Sequence, residues 1–140
     1  MKMNTNFSKE QLLEALDKYK NKAEEILKDD EKVEPFLQNV EDKLNKIPKV
    51  GGYLAEIPVM MSMIRAKILG QFKDASLKAM ILMVAGLLYF LAPIDIIPDP
   101  LGIIGYIDDA AVIGLVLMMV EDEVKSYRVW QVNNGKREDI

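Results

Sequence analysis

Residues 79–120, AMILMVAGLLYFLAPIDIIPDPLGIIGYIDDAAVIGLVLMMV, constrain this chain more than any other stretch. Two long apolar segments flank a centre rich in proline and aspartate. Asp95, Asp99, Asp108 and Asp109 are the only charged residues there, whereas the rest of the chain mixes both signs freely. The segment 79–92 is apolar on every side, so a helix over it must be central to a fold or in lipid. Its 14 residues would reach about 21 Å as a helix, against roughly 30 Å of bilayer hydrocarbon. The second segment, 110–120, is shorter still. A re-entrant hairpin would carry four carboxylates into the membrane at high cost. The expectation is a helical hairpin sheathed by protein.

The sheath is present upstream. Ser8 and Gln11 match a capping box, and Leu12, Leu16, Tyr19, Ala23 and Ile26 form a heptad-like stripe, predicting a helix to about residue 28. Too few heptads follow for a coiled coil, so this helix is expected to pack on its own domain. Residues 29–34 read as a solvated connector, with Pro35 in the first turn of a second helix whose face is Val33, Phe36, Leu37, Val40, Leu44 and Ile47. A third helical segment, 53–70, is interrupted or started by Pro58 and stopped by Gly70. Its Met60, Met61 and Met63 are read as core, not as a peptide groove. Asp74, with Ser76 beside it, is the candidate cap of the central helix. A last helix is expected from Asp108 or Asp109 through Trp130, ending at Asn133-Asn134-Gly135 before a frayed tail. No convincing strand is visible.

The fold class is therefore all-α: one domain over residues 1–140, a bundle of about five helices around the apolar hairpin. In this division residues 79–120 are the core, 8–70 the sheath and 133–140 a flexible tail. A chain of this length can bury a real core. Nine methionines and few aromatics suit adaptable aliphatic packing between helices. The net charge of −4 gives no support for nucleic-acid binding. With neither Cys nor His, thiolate chemistry and the commonest general base are absent, and any metal site would be oxygen-rich. The polar N-terminus lacks the apolar core of a signal peptide, so a cytoplasmic protein, not a secreted one, is expected, with membrane attachment as an alternative.

The centre of the hairpin is the candidate site. Pro93, Pro98 and Pro100 make a rigid, non-helical link, and Gly102 and Gly105 can supply positive φ or close approach. Three accounts of the acids compete. Asp95 and Asp99 could stabilise turns while Asp108 or Asp109 caps the last helix, with Arg65, Lys67 or Lys78 as counter-charges. The four carboxylates could instead converge on a hard cation, Mg²⁺ or Ca²⁺, although their spacing matches no EF-hand. A close carboxylate pair could also work as general acid and base.

These residues resemble the signature of the YkvA-like family, bacterial and archaeal domains of unknown function. Tyr89, Pro93, Ile94, Asp95, Pro98, Asp99, Gly105, Tyr106, Asp108, Asp109 and Ala110 match it, while Pro100 stands where a bulky apolar residue is expected. The motif covers about a fifth of the chain. The resemblance implies a helical domain, often membrane-associated, with no assigned activity. Three functions follow as expectations. The first is a non-enzymatic module acting by protein or membrane-surface contact. The second is a divalent-cation site, regulatory or hydrolytic, on the clustered aspartates. The third is an integral membrane hairpin.

Overall fold

The computed structural model describes residues 9–47, 52–91 and 104–134, with side chains in the last segment described from Ala110 onward. Six α-helices follow one another: α1 (Lys9–Leu27), α2 (Asp30–Lys46), α3 (Ile57–Ile68), α4 (Leu77–Leu91), α5 (Ile104–Met119) and α6 (Glu121–Asn134). A 3-10 turn, Gly52–Glu56, leads into α3, and no strand occurs among the described residues. The all-α bundle expected from the sequence is what forms, with six helices where about five were expected.

Apolar periodicity explains α1 to α3. The expected stripe of α1 is turned inward, with Leu12, Leu16, Ala23 and Ile26 buried and Tyr19 partly so. The methionine face of α3 is core, since Met60 and Met63 have no exposure. Gly70 stops α3 as expected. Its φ is +77°, and its N–H donates to Lys67 O while Gln71 N–H donates to Ala66 O. That pair of bonds is a Schellman motif, in which a left-handed glycine satisfies the last carbonyls of a helix.

Four boundaries differ from expectation. The second helix begins at Asp30, not at Pro35, because Asp29 acts as N-cap and accepts a bond from Glu31 N–H at 3.0 Å. Asp30 and Glu31 then favour the positive end of the helix. Pro35 sits a turn inside, on the exposed side, where the carbonyl it leaves unpaired can face water. The cap of α4 is Ser76 rather than Asp74, with Ser76 Oγ accepting from Ala79 N–H at 3.0 Å. The fifth helix opens at Ile104, so Gly105 is helical and Asp108 and Asp109 lie beyond the first turn. Capping by either aspartate is excluded by that register. Finally, the expected last helix is two, broken at Val120. Glu121, Asp122 and Glu123 occupy the first turn of α6, where acidic side chains are favoured.

The centre of the molecule is α4. Ten of its fifteen residues are buried, from Ala79 to Phe90, and it packs most extensively on α1, then α5, with α2 and α3 completing the enclosure. The α4–α5 seam is close because Gly86 faces Val116: a Cβ on Gly86 would lie 3.0 Å from Val116 Cγ2. Protein thus covers α4 on the sides that meet α1, α2, α3 and α5. On the far side, α6 is tied to α3 by a hydrogen bond between Ser62 and Tyr127 and to the 3-10 turn by Arg128–Glu56 at 2.6 Å. Tyr127 stacks on Trp130 and Phe72 meets both at an angle, forming one aromatic cluster with centroids 5.2 to 5.6 Å apart.

Candidate functional site

The link between α4 and α5 defines the candidate site, and the described residues frame where it departs. Tyr89, the first residue of the motif, is fully buried in the last turns of α4. Its ring meets that of Tyr19 on α1 edge-on, 6.3 Å between centroids and 87° between planes. T-shaped packing suits the ring quadrupoles and fixes both side chains. One residue on, Phe90 is also buried. Lys43 reaches across from α2 to donate to Phe90 O at 2.5 Å, with its Nζ 4.7 Å above the Phe90 ring.

Lys43 therefore does two things. It satisfies a carbonyl in the last turn of α4, where intrahelical donors run out, and it places a positive charge at the negative end of that helix. Sequence reasoning considered Arg65, Lys67 and Lys78 as counter-charges to the aspartates and did not single out Lys43. A signal existed: Lys43 lies three residues after Val40 and seven after Phe36, on the stripe that α2 buries. A lysine at that position can lay its stem on apolar surface and deliver its ammonium to a distant acceptor.

Two of the three residues expected to balance the acids are engaged elsewhere. Arg65 donates to both carboxylate oxygens of Glu34, at 2.7 and 3.0 Å. That bidentate bond, with the attraction of the charges, holds Glu34 below the usual carboxylate range and raises Arg65. Lys67 donates to Lys73 O at 3.1 Å.

Of the motif, Tyr89 and the half-buried Ala110 are described in full. Gly105, Tyr106, Asp108 and Asp109 are placed on the α5 backbone only. Pro93, Ile94, Asp95, Pro98 and Asp99 lie outside the described residues. Among the described residues no group of three acidic side chains comes together to hold a metal ion; the side chains of the four motif aspartates lie outside them. No helix of the described residues is long and apolar enough to cross a membrane.

One comparison with known proteins falls on this same hairpin. The family described as "Protein of unknown function (DUF1232)" matches residues 79–115, which run from the first turn of α4 through the link and most of α5. A protein of Bacillus subtilis (strain 168) named "Uncharacterized membrane protein YkvA" is 34% identical over 79 residues, covering 56% of this chain and 74% of that protein. No solved structure matches. With the motif, the buried helix that carries it and this extent of shared sequence in hand, the chain belongs to the YkvA-like family of unknown function.

Proposed function

We infer that this protein is a non-enzymatic helical module that works attached to a membrane surface through surface contacts, without spanning the bilayer. The observation that carries this reading is the enclosure of α4. Ten of its fifteen residues are buried, and its apolar circumference packs against α1, α2, α3 and α5. A covered helix gains nothing by entering hydrocarbon, since its apolar surface is already out of water. The relative named a membrane protein supports a membrane location, and peripheral attachment reconciles that location with the buried α4. Fractionation of cells producing the full chain tests it. The protein should sediment with membranes and be released by alkaline carbonate or high salt. Retention until detergent is added would support an integral hairpin, and absence from membranes would remove the reading altogether.

A second reading, a Mg²⁺ or Ca²⁺ site on Asp95, Asp99, Asp108 and Asp109, draws on one observation. Because α5 opens at Ile104, Asp108 and Asp109 are not consumed as its caps, and oxygen ligands of this kind suit hard cations. Calorimetric titration with each cation, beside Asp95→Asn/Asp109→Asn, tests it. Binding lost in a folded variant supports the site, and no binding by the unaltered protein refutes it.

A further inference from the structure

The connection between α3 and α4, at the opposite end of α4 from the acidic link, combines exposed leucines with lysines. Phe72 and Ala75 plug this connection into the core at 1% exposure each, and Gln71 and Phe72 N–H both bond to Ala66 O. The backbone is thereby pinned with Leu69 and Leu77 outward, 63% and 65% exposed. Neither position needs a leucine. Leu69 is the C-cap of α3 and Leu77 opens α4, and polar side chains serve such places at least as well. Within residues 65–78 Lys67, Lys73 and Lys78 stand against one acid, Asp74, in a chain whose net charge is −4; the fourth basic residue there, Arg65, is paired with Glu34. Lys73 and Lys78 are exposed.

We propose that this corner is the membrane-docking surface of the protein, and that its partner is a bilayer rich in anionic lipid. The proposal rests on the membrane-surface reading above and names the surface that the reading leaves unspecified. Charge complementarity selects the partner. Lysines near an anionic leaflet are attracted within a Debye length, while leucines beside them enter the headgroup–acyl boundary. The polarity of the whole hairpin agrees. From Leu77 to Leu91, α4 covers about 21 Å, so docking by its first turn holds the start of the aspartate-rich link well away from negative headgroups. The link itself carries Asp95 and Asp99 and no basic residue, so docking through it would set like charges against each other.

The test is vesicle flotation of the full chain, with phosphatidylglycerol–phosphatidylcholine vesicles beside pure phosphatidylcholine. The unaltered protein should float with the anionic vesicles, and raised salt should weaken binding. L69S/L77S should lower its partition at least tenfold, as expected for losing two side chains that re-bury apolar area. K73Q/K78Q should remove most of the preference for anionic vesicles. Met118→Ser, which alters a side chain of similar exposure (66%) on α5, should bind normally. Thermal melts of each variant exclude unfolding as the cause. Binding by the unaltered protein that survives both double substitutions would overturn the corner while leaving membrane attachment standing. No binding of the unaltered protein to either vesicle would overturn both.

Discussion

Replacing Lys43 with methionine isolates what the ammonium does, because methionine keeps the length and most of the apolar stem. Three contributions are removed. A hydrogen bond from a charged donor to Phe90 O (2.5 Å) is of the class worth about 1.5–3 kcal/mol. A positive charge at a helix C-terminus adds about 0.3–1 kcal/mol, and a cation over the Phe90 ring at 4.7 Å about 0.5–1 kcal/mol. These overlap, since one ammonium makes them all, and Lys43 makes a further contact besides. A net loss of roughly 2–3 kcal/mol is expected. For a domain of this size that lowers the melting temperature by about 6–10 °C. Urea unfolding followed by circular dichroism gives the free energy directly. Lys46→Met, exposed on the same helix, is the control and should fall within about 0.5 kcal/mol of the unaltered protein. A K43M protein as stable as K46M would refute the assignment of Lys43 as the clamp on α4.

The helix seams and surface give the remaining predictions. Gly86→Val should destabilise by about 1–3 kcal/mol, because its Cβ alone would lie 3.0 Å from Val116 Cγ2 and the further methyls overpack the seam. Gly114→Ala should cost about 1 kcal/mol or less by the same melt: its Cβ would lie 2.6 Å from the Tyr53 ring, but that ring is half exposed and can swing outward while alanine improves the helix. Tyr127→Phe should cost about 1 kcal/mol by removing the bond to Ser62, and S62A/Y127F should cost less than the sum of the single changes. The Glu34–Arg65 pair has a pH signature. Glu34 is lowered from its ordinary value of 4.5, so its contribution is present above that pH and is lost as pH falls through the lowered value. Both partners are largely exposed, so the effect should be a few tenths of a kcal/mol, screened by salt. Acid titration of stability for Glu34→Gln should lack it.

The buried faces were legible in the sequence because burial imposes periodicity. The stripe of α1, the methionine face of α3 and the unbroken apolar surface of α4 each point to one packing solution. Helix ends were less legible, since they are decided by single side-chain bonds. Asp29 and Asp74 look alike as caps, and only backbone geometry makes Asp29 a cap and gives the other role to Ser76. The proline at position 35 suggested a first turn, yet an exposed proline can sit further in when water takes the freed carbonyl. The break at Val120 carries no proline or glycine, and its one trace in the sequence is the acidic triplet that follows. Of the site, Tyr89 was legible as the start of the motif. Lys43 was legible only as a lysine on the buried stripe of α2, because its acceptor is a backbone carbonyl 47 residues away that no pattern of side chains encodes.

The central claim is that protein, not lipid, covers α4. Hydrogen exchange with mass spectrometry tests it most directly, on the full chain in detergent-free buffer with and without anionic vesicles. Amides of Met80 to Phe90 should be among the slowest to exchange, at the limit set by global unfolding, and vesicles should leave them unchanged while slowing those around Leu69 to Leu77. Fast exchange along α4 in buffer, with protection appearing only on addition of vesicles, would contradict the account and place that helix in the bilayer.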